Sequence, residues 1–305
     1  EKLYIEAICE AGNEKAVATI AGGHTCFVYV AKNDEVLFSK CQDSKGECAG
    51  DDLTLNLRKV YDFATTAPLD EIRFILETAR LNKAAAESSF KGNYGHSLGK
   101  TMRGKYEKEI MGDCVFSHIL SYTSGACDAR MAGAMIPVMS NSGSGNQGIS
   151  ATMPVLIYAE DTHKSEEELI RALMLSHLTV IYIKQSLGRL SALCGCVVAA
   201  TGSSCGITYL MGGSYEQICF AVKNMIGNIT GMICDGAKPS CAMKVTSGVS
   251  TAVLSAMLAM EDKSVTSVEG IIDDDVDKCI RNLTLIGSKG MNETDKLVLE
   301  IMTSK

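Results

Sequence analysis

The chain has 305 residues, 46% of them hydrophobic and 21% charged, with 28 glycines, four prolines and no tryptophan. That balance excludes a disordered, collagenous or low-complexity protein, and a net charge of −7 argues against a general nucleic-acid binder held by phosphate neutralisation. No run of about 18 uncharged apolar residues marks a membrane span, so neither nucleic acid nor membrane is an expected partner.

The chain opens on Glu1 rather than Met and runs straight into a strand-like segment, Lys2 to Cys9, with no leader pattern before it. The expectation is a chain that has lost an N-terminal segment. Up to about Gly50 the runs are short and β-flavoured (LYIEAIC, KAVATIA, TCFVYVA, EVLFSK), separated by turn signals at Ala11-Gly12-Asn13 and Lys32-Asn33-Asp34. Residues 1–50 therefore read as the β-rich, antiparallel part of an N-terminal α/β domain. Residues 51–70 read as a connecting segment with one short helix near 55–64.

Beyond Leu69 the texture is helical, so 71–305 is expected to be a large all-helical domain and the fold class α+β. In 69–90, apolar Ile72, Ile75, Leu76 and Ala79 recur at three- and four-residue steps. Further helices are expected near 99–110, 112–125, 147–160, 165–186, 189–211, 214–230, 241–260, 269–286 and 292–303. Ser165 with Glu168, and Ser214 with Gln217, are capping boxes. The stretches 189–211 and 241–260 are so uniformly small and apolar that they predict central helices packed on all sides. Met135, Met139, Met153 and Met174 read as core filler. Asp273-Asp274-Asp275 reads as a solvated helix start rather than a metal site.

Thirteen cysteines, an odd number spread along a long chain and set in apolar stretches, do not form a secreted disulfide framework. A reducing cytoplasm is the expected compartment, with most thiols acting as small buried hydrophobes. Two segments stand apart from the core pattern. The loop Ser140-Asn141-Ser142-Gly143-Ser144-Gly145-Asn146-Gln147-Gly148 presents short hydroxyls and backbone N–H groups ahead of a helix. It is either an exposed linker or a site for a carboxylate or phosphate, and its buried flanks favour the second. The other segment is cysteine-based: Cys194-Gly195-Cys196 opens an apolar helix, and Cys234 and Cys241 lie seven residues apart across a Gly- and Pro-closed turn. Three thiolates at one centre suit zinc or an iron–sulfur cluster, but the spacing fits neither common pattern, and ordinary buried cysteines remain the alternative.

GGSYEQICFAVKNMIGNITGMICDGAKPSCAMKV (212–245) resembles the C-terminal part of bacterial iron–sulfur L-serine dehydratases. The chain is still more similar to the related L-cysteine desulfidase family, through GGHT (22–25), IRFIL (72–76), CDARMAGA (127–134), SNSGSGNQGI (140–149), RALMLSHL (171–178) and RLSALC (189–194). The resemblance implies a 4Fe–4S cluster held by Cys194, Cys234 and Cys241, with Cys196 competing for the first position and one iron left open to substrate. It implies pyridoxal-phosphate-independent β-elimination on a small amino acid, L-cysteine or L-serine, giving pyruvate and ammonia with sulfide or water. Ser140, Asn141, Ser142 and Gly143 are then the candidate substrate-binding residues, with Asn228 and Asp235 beside the ligands. Lys244 is the candidate to compensate charge in catalysis.

Complete family members also carry a Gly-Cys-Thr-Glu-Pro motif, which does not occur in this sequence; the resemblance therefore implies weak or absent turnover. A zinc site at the same cysteines, or a non-catalytic small-molecule-binding relative, are the other readings. A homodimer is consistent with the apolar helical body. His24, His118, His163 and His177 stand alone and read as satisfied core or surface residues. His96, ringed by Gly92, Gly95 and Gly99, is the candidate catalytic histidine. Arg130 either pairs with Asp128 or binds a carboxylate.

Overall fold

A computed structural model describes residues 3–22, 26–40, 53–188 and 191–305, with the side chains of 107 and 108 outside the description. His24, Arg189 and the whole 41–52 stretch thus lie outside the described residues. The chain divides into two units, 1–54 and 55–305.

The first unit is a four-stranded antiparallel sheet in the order β1 (Tyr4–Ala11), β2 (Glu14–Ala21), β3 (Phe27–Lys32), β4 (Glu35–Ser39). Ala11 pairs with Glu14 across Gly12-Asn13, and Lys32 pairs with Glu35 across Asn33-Asp34. Both two-residue turns contain a residue with positive φ, Gly12 at 61° and Asn33 at 53°, the geometry that matches strand twist in tight hairpins. Thr19 and Ala31 are buried on the two central strands.

The second unit is helical: α1 (Leu57–Thr66), α2 (Leu69–Ile72), α3 (Leu76–Lys91), α4 (Leu98–Thr101), α5 (Lys105–Ile110), α6 (Val115–Met131), α7 (Gly145–Asp161), α8 (Glu166–Leu187), α9 (Gly195–Leu210), α10 (Tyr215–Ile229), α11 (Cys241–Met260), α12 (Val276–Leu285) and α13 (Asn292–Thr303). The α+β expectation holds. Ser165 and Ser214 cap α8 and α10 through the boxes expected of them. Asp275 caps α12 by accepting from Asp277 N at 2.9 Å, so the acidic run does open a helix, seven residues later than the pattern at 269 suggested. The expected helix at 99–110 is two short ones, broken by a turn at Gly104.

α9 is the centre. It is buried along nearly its whole length, and its small residues allow neighbours to come close. A Cβ on Gly202 would overlap the Ser176 carbonyl oxygen of α8, and one on Gly206 would lie 2.7 Å from Val155 of α7 and 2.9 Å from Ala172 O. This is how a core with few aromatics reaches interior packing density. α11 departs from expectation. Its inner face packs on α6, α9 and α10, but Met243, Leu254, Met257 and Leu258 are exposed, so it is not packed on all sides. It is the one described helix long and apolar enough to cross a bilayer, and just over half of it is buried in the unit, as in a core helix. Met153 and Met174 are core residues, whereas Met139 is half-buried and Met135 is fully exposed on the loop after α6, which corrects the reading of both as filler.

Candidate functional site

The Ser140–Gly148 loop is built from below. Asn82 of α3 accepts from Met139 N at 2.9 Å and donates to Thr152 Oγ1 of α7 at 3.2 Å. Thr152 in turn meets Nε2 of the buried His177 of α8 at 2.9 Å. Asn141 Nδ2 donates to His177 Nδ1 at 3.0 Å and to its carbonyl at 3.1 Å. Burial pushes the His177 imidazole down to about 4, so it is neutral at pH 7. With Nδ1 accepting, Nε2–H is left to donate to Thr152. Above this network the loop closes on itself through paired Asn141 and Ser144 backbone bonds of 3.1 and 3.0 Å, with Ser142 and Gly143 at positive φ. A Cβ on Gly148 would overlap the Met139 carbonyl oxygen, which fixes glycine at that position. Asn141 is therefore committed to His177, and the Ser142 hydroxyl donates to Asn141 Oδ1 at 2.8 Å. Ser140, Ser142 and Gly143 are exposed at the tip.

The cysteine segments are clasped by backbone. Cys194 N donates to Met232 O at 2.9 Å and Cys234 N to Ala192 O at 2.7 Å, a two-bond bridge centred on Leu193 and Ile233. Cys194 caps the N-terminus of α9, and Cys241 is the first residue of α11. The intervening turn is braced by Asp235, which pairs with Lys238 at 2.5 Å and with Lys244; those partners hold its carboxyl down at about 2. Lys244 also donates to Ile233 O at 2.6 Å, so its ammonium is engaged in the brace, close enough to act electrostatically on Cys194 and Cys234. Hydrogen bonding from Cys196 holds the Cys194 thiol below its usual range, with Lys244 adding to the effect, while its partner Cys196 is pushed up. Burial pushes Cys234 up.

The polar loop and the cysteines meet. A Cβ on Gly195, between Cys194 and Cys196, would stand 2.7 Å from Gln147 Nε2 in the first turn of α7. Gln147 Oε1 is buried without a partner. The N-termini of α7 and α9 thus approach one region, each bringing the positive end of its dipole, whereas the first N–H groups of α11 are taken by turn carbonyls, Cys241 N by Lys238 O at 2.8 Å and Ala242 N by Pro239 O at 3.2 Å. Cys127 of α6 approaches from another side: its thiol lies 3.5 Å from Asn146 Oδ1, and it interacts electrostatically with Cys194 and Cys241.

A thiolate favoured at Cys194 by its hydrogen bond from Cys196 and by Lys244 is a soft anionic donor of the kind an iron–sulfur group takes. Among the described residues, however, no three His, Cys, Asp or Glu side chains are gathered closely enough to hold a single metal ion. A lone zinc needs all its sulfurs about 2.3 Å from one point. A cluster spreads its ligands around a larger body and takes thiol donors, the chemistry of the free side chains at 194, 234 and 241.

Asp128 and Arg130 do not pair. Arg130 crosses the start of α7 and donates to Asn146 Oδ1 at 3.1 Å. Asp128 is fully buried; its Oδ2 accepts from Gly99 N at 2.9 Å, and its Oδ1 has no partner. Burial raises its carboxyl. His96 is exposed in the turn that covers Asp128. Asn228 is exposed near the end of α10 and contributes to none of these hydrogen bonds. His118 is clamped between Asp161 and Asp113, at 2.6 Å each, and His163 is exposed after α7. Sequence reasoning missed Asn82, Thr152 and the roles of Gln147 and Cys127; Gln147 carried a signal as part of the glycine-rich loop, and Cys127 as the first residue of CDARMAGA.

The sequence profile of the family described as serine dehydratase alpha chain matches residues 6–300. A UPF0597 protein of Bacteroides fragilis is 79% identical over 305 residues, which is all of this chain and 71% of that protein. The UPF0597 protein of Bacteroides thetaiotaomicron is 78% identical with the same coverage. That of Oleidesulfovibrio alaskensis is 48% identical over 304 residues, 99% of this chain and 71% of its own length.

Proposed function

The chain belongs to the serine dehydratase alpha chain family, and on that premise we propose that it is a lyase performing β-elimination on a small L-amino acid. L-cysteine, giving pyruvate, ammonia and sulfide, is the preferred substrate and L-serine the second. The observation that supports this most is the approach of the polar loop to the Cys194–Cys196 start of α9, seen where Gln147 abuts Gly195. An anion-binding helix start is thereby set against a group of thiols. The α7 N-terminus and the Ser140–Gly143 tip would hold the substrate carboxylate. The Asp235–Lys244 brace would keep Cys234 and Cys241 in register. His96, exposed at the rim, is our candidate for moving the Cα proton. Cys194, Cys234 and Cys241 would hold a 4Fe–4S cluster, which when bound supplies Lewis acidity to the leaving group. All eleven described cysteines are free thiols, which suits a reducing compartment, and we place the protein in the cytoplasm, as a homodimer.

One observation favours a second reading, a non-catalytic amino-acid-binding relative: the sulfurs are not gathered around a common ion position. Anaerobic reconstitution with iron and sulfide separates the two. The lyase reading expects a brown protein whose iron content collapses in Cys194→Ser, Cys234→Ser and Cys241→Ser but not in Cys205→Ser, and which releases pyruvate from L-cysteine or L-serine. A protein that stays iron-free while binding amino acid would establish the second reading.

A further inference from the structure

Among the described residues of the helical unit, Asp128 is the one fully buried acidic side chain, and the charged group that acts on it electrostatically is His96 in the turn above. A carboxylate is almost never buried alone. This one takes backbone donors from the start of α4, with Gly99 N on Oδ2 at 2.9 Å and Leu98 N beside it, and has nothing on Oδ1. Arg130, two residues along, points instead to Asn146. The bare oxygen faces a narrow seam: a Cβ on Gly95 would lie 3.3 Å from Oδ1 and 3.4 Å from Pro239 Cβ. One wall of that seam is the exposed Tyr94–Ser97 turn, in which Gly95 and Ser97 both have positive φ. The other is the Cys234–Cys241 turn. Asp128 also follows Cys127, whose thiol interacts electrostatically with Cys194 and Cys241.

We propose that Asp128 is the anchor for the α-ammonium of the amino-acid substrate, received at Oδ1 in the seam between the Gly95 turn and Pro239. The inference rests on the amino-acid reading given above and adds to it the group that selects an amino acid over a plain acid. An ammonium brings three donors and a positive charge, which supply the missing hydrogen bond at Oδ1 and a direct ion pair together. The helix N-termini and the Ser140–Gly143 tip can attract the carboxylate, but they carry no negative charge to set against a cation. Asp128 is thus a specificity residue whose loss weakens recognition of the amine.

The test is calorimetric binding to the full chain, which needs no turnover. L-serine and its deaminated analogue 3-hydroxypropanoate are titrated into the wild type and into Asp128→Asn. The expected result is that the wild type prefers L-serine by about tenfold or more and that Asp128→Asn loses most of that preference while its affinity for 3-hydroxypropanoate is kept. Equal wild-type affinity for the two ligands overturns the proposal without any variant, so misfolding of Asp128→Asn leaves it falsifiable. A preference that survives in folded Asp128→Asn also overturns it, leaving the amino-acid reading in place. Binding of neither ligand by the wild type removes both.

Discussion

Replacing His177 with Leu removes the polar edge of a buried ring while roughly keeping its volume. Asn141 keeps its 3.1 Å bond to the residue 177 carbonyl but loses the one to Nδ1, and Thr152 loses its bond to Nε2. Two buried polar groups each left short of one partner cost about 2–4 kcal/mol together near pH 7.5. That converts to a fall of about 5–15 °C in the melting temperature of a unit this size. The pH dependence is the sharper test. In the unfolded chain this imidazole takes up a proton near 6.5, and in the folded chain only near 4, because burial disfavours the charge. Between those values the unfolded state binds more protons, so native stability is intact above pH 6.5 and declines as pH falls toward 4. At about 1.4 kcal/mol per pH unit, the wild type surrenders about 3 kcal/mol across that window. The Leu variant lacks this component. Urea unfolding followed by circular dichroism at pH 7.5 and 4.5 should show a wide gap between the two proteins at the higher pH and a nearly closed gap at the lower. A gap that stays constant would refute the claim that His177 is buried neutral and holds the loop.

Gly148→Ala should cost about 3 kcal/mol or more, since its methyl overlaps the Met139 carbonyl oxygen and the backbone must move; an unchanged urea midpoint would show that the loop seat yields. Burial pushes His118 down, but its hydrogen bonds to Asp161 and Asp113 outweigh this and leave it raised. Its contribution, about 0.5–1 kcal/mol, is therefore full below pH 6.5 and fades as pH rises through the folded value; melting curves from pH 6 to 9 should lose that component in His118→Gln. Asp235→Asn should weaken the brace from Lys238 and Lys244, read as faster hydrogen exchange across 234–241 with α8 exchange unaltered.

Where the sequence was readable, the cause was local. Ser165, Ser214 and Asp275 announce helices because capping is settled within three residues. Gly12-Asn13 and Asn33-Asp34 announce hairpins because the required φ is a property of the turn itself. The cysteine turn was legible from its Gly and Pro bounds. The platform under the polar loop was not, since Asn82 and Thr152 are 70 residues apart and meet only because α3 packs on α7. Asp128 reads in sequence as a partner for nearby Arg130. What separates them is Asn146, sixteen residues beyond Arg130, which takes the guanidinium and leaves Asp128 to the backbone of α4. The exposed stripe on α11 was invisible for a related reason: an apolar residue carries no mark of whether a neighbour will cover it.

The clasp between residues 192–194 and 232–234 is made wholly of main-chain atoms. The side chains at 194 and 234 take no part in it, and proline is the residue that would remove a donor outright. The separation of those two α-carbons is thus independent of the chemistry they display, and mutation can exchange one donor for another without moving its mount. A lineage could drift from thiol to carboxylate or imidazole there and keep the same spacing, which makes this corner a reusable bracket for evolving, or engineering, different reactivities on one frame.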